Sequence, residues 1–205
     1  MLVLLRPLRR RTVRRAEDRR RAGLTGAGYL ALAALAGRSA DRWERESFRE
    51  VNGESGLMPV LRVPQQLGTP WVLPVIALVG FQTHRPSLAV SAALALPVEK
   101  ALEVGVKKVT ERTRPAKDVP DSELRDDAPT HGPSYPSGHA AIAFTAVTLA
   151  APYLPTLGTA ALASAASLAT LARVYQGAHF PLDALGGALL GVAVGSGLNF
   201  VFGSP

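Results

Sequence analysis

The chain has 205 residues, 47% of them hydrophobic and 19% charged, with a mean hydropathy of +0.15. That length suits one domain, and so apolar a composition excludes a mainly disordered chain. The absence of cysteine excludes a disulfide framework, a cysteine nucleophile and thiolate metal sites, and a net charge of +7 points to an anionic partner: nucleic acid, a membrane surface or a phosphorylated substrate.

Nine arginines fall in the first 21 residues: Arg6, Arg9, Arg10, Arg11, Arg14, Arg15, Arg19, Arg20 and Arg21, opposed only by Glu17 and Asp18. A solvated, partly helical tail, a nucleic-acid arm and the positive flank of a membrane helix all fit this block. The next stretch favours the flank, because residues 22–37 carry no charge. A basic block before an apolar run is also a signal-peptide pattern. No cleavage site follows and further apolar segments do, so an uncleaved anchor is expected. The division expected is a basic tail over 1–21 and a membrane-embedded domain over 22–205.

Residues 41–52 mix both charge signs with Trp43, Phe48 and Val51. An amphipathic surface helix fits, as does a solvated loop. Six apolar runs cover 22–37, 69–82, 86–106, 140–154, 158–173 and 181–202. Several are short: sixteen helical residues span about 24 Å, against a hydrocarbon core of about 30 Å. A soluble bundle with an alanine-rich core is the rival. However, residues 184–203 contain no charge, which a soluble surface helix could not sustain, and their small residues suit close packing in lipid. The expected fold is all-α, a six-transmembrane-helix bundle with its site at one face. Residues 115–136 form the one long irregular stretch, rich in proline and carrying Asp118, Asp121, Glu123, Asp126 and Asp127.

Three polar clusters end apolar runs. Lys107 and Arg114 are two helical turns apart, so they share a face if the helix continues, and Pro115 suits its end. Two cations there can clamp a phosphate, or simply flank a membrane helix. Pro136-Ser137-Gly138-His139 precedes the fourth run. Serine suits an N-cap, a helix N-terminus binds anions, and His139 would lie beside that anion; an incidental histidine after a cap fits equally. In the third cluster, Arg173 precedes His179 and Asp183. Four residues separate the last two, so the carboxylate can orient the imidazole, or merely sit in a helix first turn where anions are favoured.

In this order, Lys-x6-Arg-Pro, Pro-Ser-Gly-His and Arg-x5-His-x3-Asp resemble the signature of the type-2 phosphatidic acid phosphatase superfamily. The resemblance covers about residues 41–203, and the six-span layout is similar to its membrane branch, the lipid phosphate phosphatases. It implies that Lys107, Arg114, Arg173, Ser137 and the Gly138 N–H hold the phosphoryl oxygens. His179 attacks phosphorus to form a phosphohistidine, Asp183 orients His179, and His139 protonates the leaving group and later activates water. One departure is Ala172, where the family usually has a serine that helps bind phosphate. No cofactor or metal is expected, since three cations and a helix N-terminus supply the charge neutralisation that phosphoryl transfer needs.

The implied substrate is a lipid phosphate: a polyprenyl diphosphate, phosphatidylglycerol phosphate, phosphatidic acid or a polyprenyl sugar phosphate. Residues 41–62 and 116–135 are expected to set the headgroup preference. The family also contains soluble acid phosphatases and vanadium haloperoxidases. A reading of another class is a non-catalytic basic protein of the membrane surface or of nucleic acid, supported by the N-terminal arginines alone. His84 and His131 match no motif; His84 reads as a loop residue at a membrane edge, and His131 lies in the loop leading to the second motif. Glu103, one turn before Lys107, reads as an ion-pair partner, and Glu99 with Lys100 as a neighbouring buried pair. Six spans put both termini on one side. The arginine block holds them in the cytoplasm, so the site faces outward. Total charge does not decide: Arg38 and ten further cations on the outer loops balance those inside.

Overall fold

The computed structural model describes residues 2–37, 39–126 and 128–203. The side chains of residues 2–11, Arg6, Arg9, Arg10 and Arg11 among them, lie outside the described residues, as do Arg38 and Asp127 altogether. Among the described residues, helices and short 3-10 turns are the only regular structure.

The arginine block and the apolar stretch after it lie in one helix. One helix, α1 (Leu2–Ala36), runs through it into the apolar stretch without a break, about 52 Å at 1.5 Å per residue. It stops at Gly37, whose φ of +57° is the left-handed conformation that ends helices. Residues 41–52 do form a helix, α2 (Arg42–Asn52), capped by the Asp41 carboxylate, which accepts from the Glu44 N–H at 2.8 Å. Its inward face, Glu44, Phe48 and Asn52 at four-residue spacing, packs on the protein itself, with Phe48 edge-on to Phe180. A short helix α3 (Met58–Leu61) and a 3-10 turn (Pro64–Gly68) lead to α4 (Val72–Gln82). A turn at His84 reverses the chain into α5 (Pro86–Thr110).

Here one expectation fails. The α5 helix does not continue to Arg114. Glu111 caps it in the left-handed conformation, φ +47°, and Pro115 holds Arg114 extended, as the residue before a proline prefers. Lys107 and Arg114 therefore share no helical face; they converge from two segments. After the short helix α6 (Pro115–Asp118) the chain stays irregular up to α7 (Gly138–Ala150), followed by α8 (Thr156–Tyr175) and α9 (Pro181–Phe202).

The centre of the bundle is α9, flanked along its length by α1 and α7. Glycine makes the α7 contact possible. Gly187, Gly191 and Gly195 recur every four residues, forming one stripe of α9. A Cβ added at Gly187 would lie 2.2 Å from the Ser137 carbonyl oxygen, and one at Gly191 2.2 Å from that of Ala141. The close approach is locked by polar contacts: Thr145 Oγ1 donates to the Gly191 carbonyl at 3.2 Å, and Asn199 Nδ2 to that of Thr148 at 3.0 Å. Leu73, Tyr135, Ile142, Leu149 and Leu190 fill the main core.

Outward, the bundle is apolar. Val90, Leu94, Val98 and Leu102 form an exposed stripe at four-residue spacing along α5, and Trp71 and Phe81 flank α4 in the open. By length and composition alone, α8 and α9 can cross a membrane, whereas α4 is apolar but short. The other expected spans fall short for visible reasons: α5 carries Glu99, Lys100, Glu103, Lys107 and Lys108, and α7 has only 13 residues.

Gly191→Val should force the α7 and α9 backbones apart. Overpacking of this kind costs about 1–3 kcal/mol. The thermal midpoint in detergent should fall by at least about 2–4 °C, while Gly197→Val, with nothing near its Cβ position, should leave it in place.

Candidate active site

The three sequence clusters meet at one end of the bundle, where α7 and α9 begin and α5 and α8 finish. The Ser137 side chain caps α7, accepting from the Ala140 N–H at 3.5 Å, and the Ser137 N–H donates to the Asp183 carbonyl at 2.9 Å. Two of the clusters are thus joined by backbone. Gly138 opens the helix with space for nothing larger: a Cβ there would lie 2.9 Å from both Glu103 carboxylate oxygens.

Arg173 lies in the last turn of α8 and is buried. The chain then turns tightly toward His179 through Gly177, which has φ +80° and sits so close to the Glu123 carbonyl that a Cβ would come within 2.5 Å. His179 precedes α9, whose N-cap is Phe180. Asp183, at the third helical position, accepts from the Phe180 N–H at 2.8 Å through Oδ2. The same oxygen lies 3.9 Å from His179 Nδ1, beyond hydrogen-bond range, and Nδ1 has no other partner. The pair is adjacent, and the capping bond holds the carboxylate.

The cations are tethered. Arg114 is buried, with its guanidinium donating to the carbonyls of Ala178 at 2.8 Å, His131 at 2.9 Å and Pro133 at 3.1 Å. His131 thus contributes its backbone; its ring contacts Thr130 at 2.7 Å and is exposed. Lys107 Nζ lies 2.5 Å from Glu103 Oε1, so the expected ion pair is present, and Lys100 pairs with the other Glu103 oxygen at 2.5 Å. Lys100 stands 3.9 Å from fully buried Glu99, a looser contact than the pair with Glu103. Ala172 is fully buried against Leu61 and Tyr175.

His179 is buried, and this burial pushes its imidazole well below the usual histidine range. Arg114, Arg173, Lys107 and His139 push it further the same way. The ring is neutral at pH 7, with a lone pair for attack. Against it sit fixed positive charge and the N-terminal end of α7. Such a site can bind a phosphate and present it to an uncharged nitrogen nucleophile. Among the described residues no group of three or more His, Cys, Asp or Glu is placed to hold a metal ion.

Four site residues escaped the sequence reading. Arg112, fully buried, pairs with Glu44 and lies 3.3 Å from Asp183 Oδ1, and it donates to the Ala36 carbonyl at 2.6 Å. Glu44 also accepts from the Leu182 N–H at 3.1 Å, and burial pushes its carboxyl up. Gln176 accepts from Arg173 Nη1 at 2.6 Å. Ser134 donates to the Thr113 carbonyl at 2.8 Å beside the Arg112 turn. Gln176 stands three residues after Arg173, a signal that helical spacing could have supplied; Glu44 has none, being 139 residues from Asp183.

The sequence model of the PAP2 superfamily matches residues 87–202, from α5 to α9. Among solved structures, LpxE of Aquifex aeolicus superposes with a TM-score of 0.66 at 31% identity, covering 73% of this chain and 90% of that one. A transmembrane PAP2-type phosphatidylglycerolphosphate phosphatase from Bacillus subtilis shares the fold, with a TM-score of 0.67 at 22% identity over 87% of this chain and 94% of that one. No curated protein matches the chain.

The His179 titration can be read directly. In imidazole-labelled protein, the signal lost in His179→Ala should titrate with a midpoint well below 6.5; a midpoint at or above 6.5 contradicts the buried neutral ring. The unfolded chain takes up this proton at higher pH than the folded one, so stability falls as pH drops below about 6.5.

Proposed function

Because the chain belongs to the PAP2 superfamily, we propose that it is an integral membrane phosphatase that hydrolyses a lipid phosphate through a phosphohistidine. The observation that carries this reading is the convergence of the three motif clusters on a buried His179, whose imidazole is held below the usual histidine range by burial and by the charges of Arg114, Arg173 and Lys107. In the first step His179 attacks phosphorus, a P–N bond forms and the P–O bond to the leaving group breaks. His139 gives its proton to the departing oxygen. In the second step His139 takes a proton from water, which attacks phosphorus and releases inorganic phosphate and neutral His179. Lys107, Arg114, Arg173, Ser137 and the Gly138 N–H hold the equatorial oxygens, where charge develops. Asp183 stabilises the positive charge that the histidine carries once the P–N bond has formed, its carboxylate lying 3.9 Å from Nδ1, which keeps its proton throughout. Charge neutralisation comes from side chains, so no metal takes part.

The membrane reading is supported by the outer surface. Leu157 is 81% exposed, Val109 80% and Trp71 77%, far too much apolar surface for water. We read α1, α4, α5, α7, α8 and α9 as the six crossings, with the arginine end of α1 in the cytoplasm and the site on the opposite side. The reacting groups stand at the bundle end, where a lipid can offer its headgroup while its tail stays in the bilayer.

His179→Ala should lower phosphate release by at least about 10³-fold. His139→Ala should slow a lipid alcohol leaving group by about 10²–10⁴-fold and a nitrophenyl phosphate much less, because a good leaving group needs little protonation. Stopped reactions of the wild type should yield an acid-labile, alkali-stable phosphoenzyme that His179→Ala lacks. EDTA should leave turnover unchanged, and vanadate should inhibit. Full activity in His179→Ala, or a strict Mg²⁺ requirement, would overturn the mechanism.

A further inference from the structure

The Lys107 ammonium, which phosphate binding requires, is already held by a carboxylate. Glu103 Oε1 lies 2.5 Å from Lys107 Nζ, and its other oxygen, Oε2, lies 2.5 Å from Lys100 Nζ. Lys100, Glu103 and Lys107 follow one another at three- and four-residue spacing, so they share one face of α5. That face is packed on the start of α7. A Cβ at Gly138 would lie 2.9 Å from both Glu103 oxygens and 3.0 Å from Lys100 Nζ. Glu103 is buried at this contact.

Lys100 takes no part in the steps above, and its place on a membrane-crossing helix is costly. Its side chain is 44% exposed, and an ammonium on such a surface is tolerated only when paired. Fully buried Glu99 stands 3.9 Å from Lys100 Nζ, outside hydrogen-bond range, so the ammonium is committed to Glu103.

The balance of charge gives Lys100 a task. The Glu103 carboxylate stands beside the first residue of α7, where phosphate is to bind, and like charges repel. Its charge also acts on Arg114. With Lys107 as its one partner, Glu103 would cancel the cation that the phosphate needs. Lys107 could then turn to the phosphate only by leaving a buried carboxylate unpaired. A second ammonium on the opposite oxygen removes both difficulties. We propose that Lys100 is a positioning residue for phosphate binding: it holds the Glu103 carboxylate when Lys107 turns to the substrate, so that two lysines share one counter-ion. This rests on the phosphatase reading above. Lys100 touches no substrate and acts through Glu103.

The test is steady-state hydrolysis of nitrophenyl phosphate by purified full-length protein in detergent, with inorganic phosphate as the competing anion. In Lys100→Met, KM and the inhibition constant of phosphate should both rise at least about fivefold, the effect of one missing charge near a bound anion. The kcat should change by less than about twofold, as for a loss confined to binding. Lys100→Arg keeps the charge and should bring both constants back to within about twofold of the wild type. Adding Glu103→Gln to Lys100→Met should recover most of the loss, because it removes the carboxylate that needs Lys100; residues in contact are non-additive in this way. A pair with structural value alone would lower the thermal midpoint of Lys100→Met and leave KM and phosphate inhibition in place, and that result overturns the proposal. So does a double variant as impaired as Lys100→Met. If Lys100→Met does not fold, the double variant is compared with Glu103→Gln alone: equal constants support the shared counter-ion, and a fivefold difference overturns it. Wild-type protein that releases no phosphate from nitrophenyl phosphate, phosphatidic acid, phosphatidylglycerol phosphate or a polyprenyl diphosphate overturns the phosphatase reading itself.

Discussion

The fold at the active end depends on a charge that has no access to water. Arg112 lies between Glu44 and Asp183, with the Ala36 carbonyl on one side and its guanidinium 5.4 Å from the centre of the Phe180 ring. Buried charges are tolerated only when paired, and removing one partner of such a set costs about 3–5 kcal/mol because the others are stranded. The network draws together the end of α1, the inner face of α2 and the first turn of α9. Glu44 also caps the α9 backbone at Leu182 while Asp183 caps it at Phe180, so the helix starts at a fixed residue. His179 hangs from that start. Its position is set by this buried network.

A site so rich in cations must also avoid tearing itself apart while empty. Each cation has a local counterpart. Arg114 is spent on three carbonyls, Arg173 leans on Gln176, and Lys107 shares Glu103 with Lys100. These contacts fix the cationic side chains in place with no anion bound. The net positive field remains, and it adds to burial, the larger cause, in holding the His179 imidazole below the usual histidine range.

Much of this was legible in the sequence because the motifs are local. A serine before an apolar run caps a helix, and a histidine four residues before an aspartate lands beside it; both hold at Ser137 and at His179 with Asp183. Helical content followed from apolar runs, whereas residues 41–52 read equally as a membrane-surface helix or a loop and form a helix whose inner face packs on the protein. What the sequence hid was long-range pairing. Glu44 with Arg112, and Gln176 with Gln65 and Asp126, join segments with no common periodicity. The shared face of Lys107 and Arg114 failed for a local reason, since Glu111 turns left-handed and no propensity flags a glutamate there. The arginine block shares one helix with the apolar run because no helix breaker separates Arg21 from Ala22.

The glycine stripe of α9 has a bearing on how such an enzyme diversifies. Because α7 and α9 touch backbone to backbone at Gly187 and Gly191, they behave as a single rigid strut, and Ser137, His139 and Asp183 ride on its tip. Side-chain changes elsewhere cannot slide one helix past the other without breaking those contacts. The reacting geometry is therefore insulated from sequence drift in the surrounding loops. The turn carrying Gln65 and Gln66 touches the strut through Gly68 and His139, so it can be rewritten while the machinery beneath stays in register. The buried strut and the turn above it are thus separate pieces of chain that meet at one tight contact.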